Sequence, residues 1–139
     1  LDIVIPLIDY DKQNPSPIWI QTELAKKVNA KRLAQLLHCN DFYEFLDCVY
    51  AIIQLRARPN VPNRLEQTKQ RLLASGKSEQ DVEKFGDYVD AVVTLLQDST
   101  LDFADFRDPA NWGEYQGRPV IIDLGFNESV KQLYMWGRR

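Results

Sequence analysis

An asparagine and an aspartate twelve residues apart, Asn111 and Asp123, stand at the two ends of what reads as a tight β-hairpin. Trp112 opens the first arm, Glu114-Tyr115-Gln116-Gly117 supply the turn, and Pro119-Val120-Ile121-Ile122 form an apolar strand that runs into Asp123. A polar residue directly after a buried strand is held rigidly, with its side chain directed into a cleft. Two oxygen ligands so placed suit Mg²⁺, a hard cation that takes a few protein oxygens and completes its shell with phosphate and water. Just upstream, Asp105 is a candidate base and Arg107 a candidate phosphate-binding cation. Metal ligands, a base and a cation in one short stretch make a phosphoryl-transfer constellation.

The same stretch resembles the catalytic and magnesium loops of a protein kinase, H-R-D-x-K-P-x-N followed by D-F-G. Asp105 falls in the catalytic-base position, and Arg107 falls where kinases carry Lys. Pro109 and Asn111 match the Pro-x-Asn, and Asp123-Leu124-Gly125 stands in for Asp-Phe-Gly. Asp108 looks like a one-residue insertion, so Asp105 lies six residues before Asn111 where the motif has five. Phe103 and Ala104 replace the His and Arg. This variant form is most similar to phage-encoded and other divergent or atypical kinases.

The elements that must position these residues are read from periodicity. Leu1 to Tyr10 is β-branched and apolar, a strand in which Pro6 is tolerable only at an edge or bulge. Asp11 to Pro17 is a turn, and Ile18 to Leu24 a second strand, giving a hairpin. From Asn29 the spacing becomes helical: Asn29 caps a helix with Leu33, Leu36 and Leu37 on one face. A second helix runs from Phe42 to about Arg58 with an apolar stripe of Phe42, Phe45, Leu46, Val49, Ile52 and Ile53, ended by Pro59 and Pro62. A more polar third helix spans Asn63 to Ala74 and stops at Ser75-Gly76. Ser78 and Asp81 form a capping box that opens a fourth, through Gln97, with Val82, Phe85, Val89, Val92, Val93 and Leu96 facing the core. Glu128 to Met135 reads as a short terminal helix before a basic tail.

The resemblance extends over this order of elements. The N-terminal pair resembles the last two strands of a kinase small lobe, the second of which leads into the hinge. It implies that Thr22 is the gatekeeper beside the adenine pocket and that the main chain at Glu23 and Ala25 carries the hydrogen bonds to adenine. The fourth helix stands where kinases have the central helix of the large lobe. The expected fold class is therefore mainly α with small β-hairpins (α+β), a kinase-like large lobe with a remnant of the small lobe. Residues 1–28 would be the small-lobe strand pair and hinge, and 29–139 the helical core with its catalytic loop. The Gly-rich loop, the strand-borne Lys and its Glu-bearing helix would precede Leu1, and fourteen residues after Gly125 leave no room for a full activation segment. The chain is thus expected to be a partial or split kinase, with an N-terminal lobe upstream or on another chain.

Composition sets outer bounds. A chain of 139 residues fits one domain and can bury a real core. Apolar residues at 45% and charged residues at 27% are ordinary for a globular protein. A net charge of −3 and a pI near 5.2 provide no basic field for non-specific nucleic-acid binding. No apolar run approaches the ~20 residues that span a bilayer, and no signal peptide is visible. Cys39 and Cys48, nine apart and without metal-site spacing, read as reduced core thiols of a cytoplasmic protein, in a host cytoplasm if phage-encoded.

Blander readings stand beside each of these. His38, the single histidine, reads as a helix-terminal or half-buried polar group, without Ser-His or Cys-His chemistry. Asp87, Asp90 and Asp98 read as solvated, and Lys26-Lys27 with Lys31-Arg32 as an ordinary wet patch that near a hinge could meet a partner's acids. Asp102 and Asp105 are read on one side of an extended segment, with Asp105 alternatively a turn-initiating residue. The resemblance implies ATP- and Mg²⁺-dependent phosphoryl transfer to a protein hydroxyl, with Asp105 and Arg107 catalytic, Thr22, Glu23 and Ala25 at the nucleotide, and Asn111 and Asp123 on the metal. Its rivals are a catalytically inactive kinase-like module (a pseudokinase) that binds and regulates a partner protein, and a helical adaptor whose motif match is accidental.

Overall fold

The computed structural model describes residues 3–10, 12–13, 20–57, 64–98 and 101–122. Its bulk is helical: α1 (Ala30–Leu36), α2 (Phe42–Ala57), α3 (Arg64–Ala74) and α4 (Glu79–Asp98), with α2 packed on both α3 and α4. The local stop and start signals lie where the sequence puts them. The Asn29 side-chain oxygen accepts the Arg32 N–H at 2.8 Å and caps α1. α3 ends on Gly76 at φ +102°, with Lys77 N–H donating to the Leu72 carbonyl and Gly76 N–H to that of Leu73, a Schellman ending that needs a residue without Cβ strain. Ser78 and Asp81 exchange hydrogen bonds as a capping box for α4. The predicted apolar faces are the buried ones: Phe42, Phe45, Leu46 and Val49 of α2 meet Val82, Phe85, Val89, Val92 and Val93 of α4 in one core, with Ile52, Ile53 and Leu96 at its margin.

Two small sheets accompany the helices. β1 (Leu7–Tyr10) and β2 (Ile20–Thr22) pair antiparallel. β3 (Lys26–Lys27), β4 (Trp112–Tyr115) and β5 (Arg118–Ile121) form an antiparallel sheet in that order. The β4–β5 connection is the two-residue turn Gln116–Gly117, with φ of 52° and 74°. Two successive positive φ values match the right-handed twist of the flanking strands. The mainly helical α+β expectation therefore holds at that level.

Three expectations change. The stretch before Tyr10 is not one strand: residues 3–5 leave the first hairpin and run parallel to β5, with Ile5 N–H donating to the Ile121 carbonyl and Ile121 N–H to that of Ile3. Pro6 sits at the break between these two partners, where its missing N–H interrupts no ladder, and its carbonyl accepts the Glu23 N–H at 3.0 Å. Lys26 and Lys27 are exposed as expected, but where a hinge is expected they form a short strand paired with β4. Residues 104–107 form a short helix, α5 (Ala104–Arg107), not an extended segment. Asp123 and the expected terminal helix at 128–135 lie outside the described residues.

Both cysteines are free and buried. Burial pushes the Cys39 thiol up to about 12 and raises that of Cys48, so both are held as neutral thiols. Among the described residues no helix is long and apolar enough to cross a membrane.

Candidate functional site

The centre of the candidate site is Asn111, and its neighbours fix it from three sides. Asp108 opens a 3-10 turn over Pro109–Asn111, its carboxylate accepting the Ala110 N–H at 3.0 Å with Pro109 at the first turn position. At the turn's end the Asn111 side-chain amide donates to the Asp105 carbonyl at 3.0 Å. The Asn111 main-chain carbonyl accepts the N–H of Ile122 at 2.9 Å. The residue before Asp123 is thus tied directly to Asn111. With Nδ2 engaged, the amide's orientation is set, and Oδ1 is presented on its other side. That is what a side chain needs to act as a hard oxygen ligand without reorganising first.

Trp112 anchors this arrangement to the core. Its ring is 1% exposed and lies edge-on to Phe42 at 6.0 Å, to Phe45 at 6.1 Å and to Phe106 at 6.3 Å. Its Nε1–H donates to the Phe106 carbonyl at 2.9 Å. One aromatic residue thereby joins α2, α5 and β4, and α5 is the element that carries Asp105 and Arg107. Arg107 is exposed in the last turn of α5.

Asp105 is half-buried, and its carboxylate has local work. Asp102 N–H donates to Asp105 Oδ2 at 2.9 Å, and Ala104 N–H donates to Asp102 Oδ1 at 3.3 Å. The two aspartates tie the turn that leads into α5, each carboxylate accepting a neighbouring main-chain N–H. Their three-residue spacing is the signal for it: in an extended segment residues three apart face opposite sides, so a shared side requires the helical turn that forms. Asp108, which looks like an insertion in the motif, is the cap of the next turn.

The hinge-like segment lies against the same hairpin. Thr22 ends β2 half-buried, Glu23 is exposed, and Ala25 is half-buried beside Gly113 of β4. A Cβ on Gly113 would lie 2.9 Å from the Ala25 Cβ, 2.9 Å from the Lys26 carbonyl oxygen and 3.2 Å from Ile122 Cγ2. Glycine here lets the segment after β2 cross the hairpin in contact. Gly113→Ala is expected to cost about 1–3 kcal/mol, because the Lys26 main chain cannot yield as a side chain would; urea unfolding of the two proteins measures it. Ala25 is thereby brought against the strand that follows Asn111, while Thr22 stays in the separate β1–β2 sheet and Glu23 lies between the two.

Sequence reasoning missed a second tether. Arg32 of α1 holds Glu114 of β4 with two bonds, Nε to Oε1 at 2.9 Å and Nη2 to Oε2 at 3.1 Å. The guanidinium draws the Glu114 carboxyl below its usual range, chiefly through these hydrogen bonds. His38, at the left-handed end of α1 (φ 62°), bonds Asp81 through Nδ1 at 2.9 Å and stacks on Tyr88, the half-buried structural group the sequence suggests. Hydrogen bonds from His38 first and Ser78 second lower the Asp81 carboxyl. Among the described residues no three His, Cys, Asp or Glu side chains gather as a metal site. Asp123, the second expected metal ligand, lies outside those residues. Comparison of the chain with family models, with curated protein sequences and with solved structures yields no match, so a functional reading has to rest on this geometry.

Proposed function

We propose that this chain is the core of a protein kinase-like phosphotransferase that moves a phosphoryl group from ATP to a protein hydroxyl with magnesium. The observation that carries the reading is the fixed Asn111 amide, hydrogen-bonded to the Asp105 carbonyl and adjoining Ile122, the residue before Asp123. It supports an oxygen ligand at the root of the hairpin, tied to the main chain of the residue that the motif makes a base. Bound magnesium supplies charge neutralisation between the phosphates of ATP. Asn111 and Asp123 would hold the metal, and Arg107 would offset charge on the moving group. The bond from the phosphoryl group to the ATP bridging oxygen breaks as the bond to the acceptor oxygen forms, and Asp105 takes the acceptor's proton. On the nucleotide side the reading uses main-chain groups at Glu23 and Ala25 next to Thr22. Glu23 gives its N–H to Pro6, so its carbonyl is the group in question. Ile121 and Val120 are fully buried, so half-buried Ile122 is the apolar residue of that strand end suited to a planar ring.

One observation favours a second reading, a kinase-like module that binds and regulates a partner without catalysis. The carboxylates of Asp105 and Asp108 both accept main-chain N–H groups of their own turns. Asp105→Asn separates the two. Asparagine keeps an oxygen for the Asp102 N–H, so melting stays within about 1 kcal/mol of wild type, while a base is lost. In the full-length protein, transfer of radiolabelled phosphate is expected to fall by about 10²–10⁴-fold with nucleotide affinity kept. Unchanged transfer would remove Asp105 from the mechanism. No transfer by the wild type, with partner binding kept in Asn111→Ala, would establish the binding module.

A further inference from the structure

Charge on this chain is sorted by place. Residues 26–32 include Lys26, Lys27, Lys31 and Arg32 and no acid, in a protein of net charge −3. α4 carries six acids and a single lysine, Lys84. The fold turns the basic stretch into one surface. β3 pairs with β4 on one side, and among the described residues no strand lies on its other side. Both β3 lysines are exposed, as is Lys31 in the first turn of α1. Glu114, the acid opposite Lys26 in the ladder, has both oxygens engaged by Arg32, which leaves the surrounding field positive. The first turn of α1 holds no acidic residue, although acids are what the helix dipole favours there, so Lys31 is not explained by helix stability. Leu24, two residues before β3, is 92% exposed.

We propose that the outer edge of β3, with Leu24, Lys26, Lys27 and Lys31, docks an acidic extended segment of a partner protein. Successive strand side chains point to opposite faces, so Lys26 and Lys27 straddle an added strand and meet acids on both of its sides. Main-chain pairing along the edge supplies affinity, and the lysines supply selection. Edge lysines discourage pairing with neutral or basic strands, and an acidic strand is the kind that relieves their charge. The acidic face of α4 repels the same segment and so favours arrival at β3. The inference goes beyond the phosphotransfer reading and applies equally to an enzyme and to a binding module.

The test is fluorescence anisotropy of a labelled twelve-residue peptide of Glu, Val and Ser, titrated with the full chain at two salt concentrations. Binding is expected at low salt, weakening as salt rises, with affinity reduced at least about tenfold in Lys26→Glu/Lys27→Glu/Lys31→Glu. The milder Lys26→Gln/Lys27→Gln/Lys31→Gln is expected to show a smaller loss in the same direction. All the altered residues are exposed, and circular dichroism checks that each variant is folded. Arg64→Glu/Lys84→Glu, equally exposed reversals elsewhere, should leave affinity unchanged. Hydrogen exchange at residues 24–27 should slow when the peptide is bound. The proposal is overturned if the wild type does not bind the peptide or the control reversals weaken binding as much. It is also overturned if an oligothymidylate of equal charge binds as tightly, or if binding occurs without protection of residues 24–27.

Discussion

Asn111→Ala in the full-length protein is expected to lower magnesium-dependent phosphoryl transfer by at least ~10²–10³-fold, with little loss of fold. The substitution removes one oxygen ligand from the proposed metal position and one hydrogen bond, from the side-chain amide to the Asp105 carbonyl. That bond is worth about 1 kcal/mol, too little to unfold a domain of ordinary stability. Asp123→Asn should be at least as damaging to transfer, since it removes the negative charge of the same proposed ligand pair. Both variants should need more magnesium for whatever transfer remains, which a titration of rate against metal reads directly. Asn111→Ala with full activity and an unaltered magnesium requirement would exclude it as a ligand. Loss of activity together with a large fall in melting temperature would make Asn111 a structural residue instead.

Trp112→Ala should be the most destabilising single change among the residues that build the site, costing about 3–5 kcal/mol in urea unfolding. The ring is fully enclosed between Phe42, Phe45 and Phe106, so its removal leaves a cavity that three aromatic walls cannot close. It also strips the Phe106 carbonyl of its Nε1–H donor, and a buried acceptor left without a partner costs about 1–3 kcal/mol more when nothing replaces it. Trp112→Phe divides the two contributions: it keeps most of the volume and loses only the donor, so it should cost about 1–3 kcal/mol. A cost below about 1 kcal/mol for Trp112→Ala would mean that α5 and the hairpin are not held to α2 through this ring. Because α5 carries Asp105 and β4 begins at Trp112, the same substitution should also disturb the bond between Asn111 and Asp105.

The residues that shape the site differ in how far apart in the chain their partners lie, and that decides what could be read in advance. Asn29 capping α1, the Ser78–Asp81 box, the Gly76 ending of α3 and the Gln116–Gly117 turn each act over a few neighbouring residues. Local backbone sterics and short-range hydrogen bonds settle such features before any tertiary contact forms, and the apolar stripes of α2 and α4 follow from helical periodicity alone. The Asp102–Asp105 turn was equally local. It was legible in the three-residue spacing, which puts two side chains on one side of a helical turn and on opposite sides of the extended segment expected there. Other features have no local signature. The pairing of residues 3–5 with β5, the recruitment of Lys26–Lys27 as an edge strand, the crossing of Ala25 over Gly113 and the grip of Arg32 on Glu114 join parts of the chain about eighty or more residues apart. The motif named Asn111 from the sequence, but its orientation came from a turn, a strand end and a buried indole converging on one point. Helix ends and hairpin turns belong to the sequence because their energetics are short-ranged. The sheet's third strand and the aim of the Asn111 amide belong to the tertiary structure, because only closure of the core brings their partners within hydrogen-bonding distance.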